Sequence, residues 1–423
     1  MPINILITLA LLLLTALVLS RIFTLPRNIW LLFIAQPLVM SASPIIVFIG
    51  GILSSKMADD PSLATLPITL MILGVAAGSI PAAMLAKNKG RKYAIYTGLS
   101  CSLLAVCLAI VSAKFSLFEL FCFSSLLIGI GGAFIQQLRF AAIESSLNDE
   151  DIPKILSILM LSGVFAAFLG PEIAVAGKDW LVSPHGYAGS FLLLIVFILC
   201  SMLIMTAFKN PPVNENEVVG EARELKVITK QPIFLIAVCT ATIGFALMSY
   251  LMTATPISMH HMQGHSLQET KWVIQSHIAA MYLPSLFTPW LVKYVKLKGL
   301  MLVGTLIYTI VTVIALSGHE VIHYWWALIL LGIGWNFLFL TGTSLLPQSY
   351  HASERHKVQA TNDFILFGVQ AAASLLAGWV LFNAGWHWVV VTSLPFILLL
   401  FIVVKLYHQH EKKLLLNVEN RLS

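Results

Sequence analysis

The sequence predicts an all-α membrane protein of two six-helix halves, with an extra hydrophobic segment in front. Composition is the first reason. Of 423 residues, 58% are hydrophobic and 10% charged, where a soluble domain carries about 25% charged residues. A mean hydropathy of +0.90 excludes an ordinary soluble enzyme. It also excludes a disordered chain, which needs low hydrophobicity and high charge. The second reason is a run of twelve apolar stretches, each near the ~20 residues that cross a bilayer. Such spans are helices, because lipid cannot satisfy an open strand edge. A closed barrel would alternate in polarity over segments of about ten residues, and LLLIVFILCSMLIM at 192–205 does not alternate. The third reason is the sidedness of positive charge.

In order, the stretches cover about 28–54, 63–86, 93–113, 117–141, 154–176, 187–208, 232–256, 272–292, 299–317, 323–346, 359–383 and 386–406. Before them, Ile5 to Ser20 is also uncharged. A signal peptide carries positive charge ahead of its apolar run; here Arg21 and Arg27 follow it. It reads as an uncleaved segment that starts outside, with a signal-like or interfacial helix as the alternative. The chain then divides into a leading segment and connector (1–27), a first half (28–208), a linker (209–231), a second half (232–407) and a tail (408–423). The linker holds Pro211, Pro212 and mixed charges.

With Arg21 and Arg27 placed inside, 21 of the 25 Lys and Arg fall on that side, leaving Lys56, Lys114, Lys178 and Lys271 outside. This is the positive-inside pattern. It puts the tail in the cytoplasm and accounts for the net charge of +6 without nucleic acid. The expected location is a bacterial inner membrane, crossed many times. Cys101, Cys107, Cys122, Cys200 and Cys239 lie in apolar stretches without CxxC spacing, and read as packing residues.

The halves repeat each other. Gly129-Ile-Gly-Gly-Ala-Phe134 in span 4 matches Gly332-Ile-Gly-Trp-Asn-Phe337 in span 10, and Gly163-Val-Phe-Ala-Ala167 matches Gly368-Val-Gln-Ala-Ala372, at offsets of 203 and 205. Parallel repeats suit alternating-access transporters; the plainer alternative is that small residues permit tight helix packing.

These features resemble the major facilitator superfamily, with two six-helix halves, a central cytoplasmic linker and a motif of the form G-x-x-x-D-R-x-G-R-K between spans 2 and 3. Here the segment is Ala83-Met-Leu-Ala-Lys87-Asn-Lys-Gly90-Arg91-Lys92, so the Gly-Arg-Lys end matches while Lys87 and Asn88 replace the Asp and Arg. Gly170-Pro171 resembles a softened form of the family's Gly-Pro antiporter motif. Arg139-Phe-Ala-Ala142 and Thr253-Ala-Thr-Pro256-Ile-Ser-Met-His260 look like a bacterial branch of vitamin or siderophore uptake permeases. The resemblance implies that spans 1, 4, 7 and 10 face a central cavity. It also implies that the motif's Asp docks at the inner start of span 11. Here Asp363 supplies a negative charge at that end, so a reversed latch is expected, Lys87 or Arg139 facing Asp363, with Gly90, Arg91 and Lys92 as gating residues.

Ionisable groups inside a bilayer each demand a reason. Arg139 either snorkels to the cytoplasm or contacts substrate and gate. Asp363 either complements a helix N-terminus, with Thr361 or Asn362 as cap, or takes part in latch and coupling. Glu172 either titrates and couples proton flow or is a solvated interfacial acid near Lys178 and Asp179. The expected substrate-binding set is Gln36, Gln136, Gln137, Arg139, Tyr250, Gln275, His277, Trp335, Asn336 and Gln370, amides and aromatics that suit a polar, partly planar solute. The alternative for each is an inter-helix hydrogen bond. His260, His261 and His265 form the one histidine cluster; Gly264 interrupts helical i,i+4 pairing and no Cys or carboxylate completes a metal site, so a solvated loop is expected.

There is no P-loop, no H-E-x-x-H and no G-x-S-x-G, so neither an enzyme nor a cofactor is expected. The chain reads as a monomeric secondary transporter whose partners are a small organic solute, protons and the lipid bilayer. Uptake of a vitamin or iron–siderophore is favoured. Drug or metabolite efflux is the alternative, and a non-transporting receptor or scaffold is the rival of another class.

Overall fold

A computed structural model of the chain describes residues 3–146, 151–210 and 223–422. The middle of the linker, with Pro211 and Pro212, lies outside the described residues. No strand occurs among the described residues. Each backbone amide in hydrocarbon is satisfied within its own helix.

The leading segment is α1 (Ile3–Ile22). Span 1 is split into α2 (Arg27–Met40) and α3 (Ala42–Met57). The break at Ser41 lies between Pro37 and Pro44, since proline removes a donor and crowds the preceding turn. Spans 2, 3 and 4 are α4 (Leu66–Lys89), α5 (Arg91–Phe115), and α6 (Phe118–Gln136) continued by α7 (Leu138–Glu144). Spans 5 and 6 are α8 (Ile152–Ala176) and α9 (Ala188–Met205). The short α10 (Leu225–Ile228) belongs to the linker. Span 7 is α11 (Pro232–Pro256), ending in a π-helical turn Ile257–Met262. The rest are α12 (Leu267–Tyr282), α13 (Thr288–Ser317), α14 (Val321–Leu345), α15 (Arg355–Val391) and α16 (Leu394–Leu422).

Eleven of these segments are long and apolar enough to cross a membrane. Two more crossings are hidden in that number. Span 8 is shortened to the 16 residues of α12 because a 3-10 turn, Leu283–Phe287, interrupts it. The other is inside Lys357–Lys413, 57 residues long, which bends at Gly385 with φ +83°. α13 itself breaks at Lys296, with φ +60°. Beyond the bend at Gly385, Trp386 Nε1 donates to Ala315 O near the end of α13 (3.0 Å), and Lys298 Nζ, just past the Lys296 break, meets His408 Nδ1 (2.6 Å). Span 12 therefore runs back along the part of α13 beyond Lys296, which is span 9. The expected twelve spans plus a leading helix are all present.

The repeat is structural. In the first half α6 packs on α4 and α5, α5 on α9, and span 1 on α8 and α9. In the second half α14 packs on α12 and α13, α13 on α16, and α11 on α15 and α16. The repeated glycines explain why. A Cβ at Gly129 would lie 1.9 Å from Met71 O, and one at Gly332 would lie 2.8 Å from His277 O. Likewise Gly98 faces Gly131 O and Gly304 faces Gly334 O, both at 3.1 Å. Small residues let transmembrane helices approach to backbone contact. Gly170 does the same within the first half. It brings α8 onto the span-1 break, where a Cβ would meet Pro44 Cβ at 2.6 Å.

The halves meet symmetrically, α4 on α15 and α12 on α8. At the end carrying Gly90 and the linker, here the basic end, Arg223 clamps Glu354. Its backbone N and Nε donate to Oε1 (both 2.8 Å) and its NH2 to Oε2 (2.7 Å). The Arg223 guanidinium holds the Glu354 carboxyl well below the usual carboxylate range. A depressed carboxyl stabilises at all pH above its unfolded value near ~4.3 and loses that contribution only as pH falls further. We therefore expect linker cleavage by an added protease to be flat from pH 8 to 5, and several-fold faster in Glu354→Gln at pH 7.

Candidate functional site

The second half holds an aromatic cluster in which Trp335 is buried and Phe245, Phe339 and Phe367 are half-buried. Trp335 and Phe339, one turn apart on α14, are stacked with centroids 5.1 Å apart and planes 6° apart. Phe245 of α11 sets its edge against both, at 5.0 and 5.5 Å, and Phe367 of α15 lies 6.3 Å from Phe245. One turn on from these, Gln370 Nε2 donates to Ser249 Oγ (2.7 Å). Gln370 Oε1 and Trp335 Nε1 are buried without a partner. An unsatisfied buried polar atom costs roughly 1–3 kcal/mol. The arrangement offers planar faces plus one acceptor and one donor.

The other expected binding residues divide. In the first half Gln36 donates to Leu159 O (3.4 Å), while Gln136 and Arg139 are exposed near the basic end. Gln137 accepts from Arg91 NH1 (3.1 Å). In the second half Tyr250 OH bonds Thr392 Oγ1 (2.8 Å) and His277 Nδ1 donates to Leu328 O (2.7 Å). Asn336 Nδ2 donates to Met281 O (2.8 Å) and Ser285 Oγ (2.6 Å). These bonds tie neighbouring helices; His277 Nε2 and Asn336 Oδ1 keep no partner.

At the basic end the Gly-Arg-Lys motif braces the first half. Gly90 takes φ +86°, and a Cβ there would lie 2.8 Å from Asn210. Arg91 grips Glu144 with Nε and NH2. Lys92 Nζ donates to Thr206 O (2.6 Å) and Phe208 O (2.8 Å), a cation at the C-terminal end of α9 where the helix dipole favours one. Lys87 is exposed. Arg139 of the first half is exposed, and Asp363 of the second accepts from Asn362 Nδ2 (3.1 Å). Arg139 also sits over the Phe140 ring at 4.8 Å.

The opposite end is closed by a network that the sequence shows only in part. Lys271 Nζ on α12 bonds Glu172 Oε1 on α8 at 2.7 Å, and the two side chains are 9% and 10% exposed. Gln275 Nε2 donates to Glu172 Oε1 (3.4 Å) and to Phe168 O (3.1 Å). Asn4 of α1 donates to the same Oε1 (3.3 Å). Glu172 is therefore not a solvated acid beside Lys178 and Asp179; the approach of α8 to α12 buries it against a cation. Gln275 belongs to this network. On the other side of the same end, where α4 meets α15, Thr65 Oγ1 donates to Leu375 O (3.4 Å). In the histidine cluster His260 Nδ1 donates to His265 O (2.8 Å) and His265 Nε2 to His319 O (2.6 Å). Among the described residues no group of three or more His, Cys, Asp or Glu is placed to hold a metal.

A profile of the Major Facilitator Superfamily matches residues 29–365. The chain belongs to the major facilitator superfamily. Among members of this superfamily, it is 36% identical over 363 residues to the riboflavin transporter RfnT of Brucella anthropi, covering 85% of this chain and 90% of that protein. It is 29% identical over 378 residues to the MFS-type transporter YddS of Bacillus subtilis, covering 85% and 86%. The fold matches a bacterial homologue of the human lysosomal transporter Spinster with a TM-score of 0.67 at 12% identity, covering 90% of this chain and 97% of that one. The chain is thus a multi-pass membrane protein of a transporter superfamily.

Removing one partner of a buried pair costs about 3–5 kcal/mol because the other charge is stranded. Glu172→Leu is expected to lower the thermal midpoint sharply, and Glu172→Leu with Lys271→Leu to recover most of it in melts of the purified protein.

Proposed function

We propose that the chain takes a flat, hydrogen-bonding vitamin, riboflavin first among candidates, into a bacterial cell across its inner membrane by alternating access. The observation that carries this reading is the aromatic cluster with its single unpartnered acceptor and donor. A fused ring stacks on such faces for ~0.5–1.5 kcal/mol beyond burial. An isoalloxazine edge presents an imide N–H for Gln370 Oε1 and ring acceptors for Trp335 Nε1. The similarity to RfnT supports the same solute class. The charge bias of the loops supports a cytoplasmic basic end, linker and tail.

On this reading the outer end is shut by Glu172, Lys271 and Gln275, and the inner end is open, with Gln136 and Arg139 reached from the cytoplasm. Closing the inner end brings Arg139 to Asp363. Opening the outer end parts Glu172 from Lys271. Each carboxylate thus loses or gains its cation as the halves rock, which is the condition for coupling to protons.

Riboflavin flux into proteoliposomes tests the assignment. Trp335→Ala and Gln370→Leu are each expected to raise the apparent KM about tenfold or more, the equivalent of ~1.4 kcal/mol. Flux only outward, or only with cationic drugs, would favour efflux instead. A second measurement addresses coupling. Asp363→Asn should flatten the dependence of uptake on an imposed pH gradient; an unchanged dependence removes Asp363 from that role.

A further inference from the structure

The leading helix lies outside the two six-helix halves, yet two contacts fix its course. Asn4 meets Glu172 at one end of α8, and Phe23 receives Lys154 Nζ over its ring at 5.6 Å at the other. The 18 residues between Glu172 and Lys154 rise ~27 Å as a helix, close to the ~30 Å hydrocarbon core. So α1 crosses the whole bilayer antiparallel to α8. Its buried face is Ile5, Leu12 and Ala16, while Leu6, Leu13 and Leu17 are at least half exposed.

An apolar α1 with that face would pack without Asn4. Asn4 is exposed at the first turn of α1, and it donates to the oxygen that Lys271 and Gln275 share. Because α1 packs on α2 and α8, Asn4 travels with the first half. When the halves part, Lys271 and Gln275 leave with the second half and Asn4 stays. We propose that α1 is a working thirteenth helix and that Asn4 is a positioning residue. It holds the Glu172 carboxylate aimed across the cleft, so that the ion pair re-forms at each closure.

The inference rests on alternating access but not on the identity of the solute, and its test uses no solute. Thr65 is fully buried against the second half at the closed end. In a background with the five native cysteines replaced, Thr65→Cys reports separation of the halves by its rate of maleimide labelling in the purified protein. Asn4→Leu is expected to raise that rate about threefold, the size of an average membrane hydrogen bond. Asn4→Ala should act alike, and Asn4→Gln, which keeps the donor, should restore the parent rate. In a Glu172→Leu background Asn4→Leu should change nothing more. Labelling unchanged by Asn4→Leu and Asn4→Ala, or an equal effect without Glu172, overturns the proposal. Labelling that responds as expected while riboflavin is not carried leaves it standing and rejects the solute.

Discussion

Alternating access needs two bodies that move against each other without deforming, and in lipid the hydrophobic effect cannot hold such bodies together. Close approach of backbones does it instead. Gly129 on Met71 and Gly332 on His277, with the Gly98–Gly131 and Gly304–Gly334 crossings, let three helices in each half interlock at a distance no side chain permits. The same residues appear at the same places in both halves, so the two bodies are stiff in the same way. The freedom left to the molecule lies between them.

Charge marks that freedom. Within the first half, Arg91 and Lys92 are spent on Glu144 and on the last carbonyls of α9, which makes the half more rigid. Between the halves the pairs are few and sit at opposite ends. Glu172 with Lys271 is joined, and Arg139 with Asp363 is separated. A charge in low dielectric cannot be abandoned cheaply, so parting Glu172 from Lys271 carries a cost at that end. This is how a small number of groups can make a two-position device from a continuous hinge.

Most of the fold is legible in the sequence because a bilayer imposes a length and a polarity on every span. Most helices overrun the apolar stretches by only a few residues, α13 and α16 by more, and the offset between Gly129 and Gly332 already announces the repeat. The places that resist reading are those where two helices must be laid side by side. Lys271 stands one residue before an apolar stretch and counts there as one more outer lysine; its partner lies 99 residues away, and hydropathy carries no register between α8 and α12. For the same reason Gln137, Tyr250 and Gln275 look like cavity residues. Any polar group in lipid must find a partner, and polarity alone does not say whether that partner is a solute or the next helix. Phe245, Phe339 and Phe367 are silent in a chain with 24 phenylalanines; only their convergence on Trp335 sets them apart.

The helix in front has one more consequence. Twelve crossings would return a chain to the face it left. On the proposed crossing by α1, the described residues make thirteen, which puts Ile3 and Lys413 on opposite faces of the membrane. Reporters fused near each end would sense opposite sides of the same membrane from a single molecule.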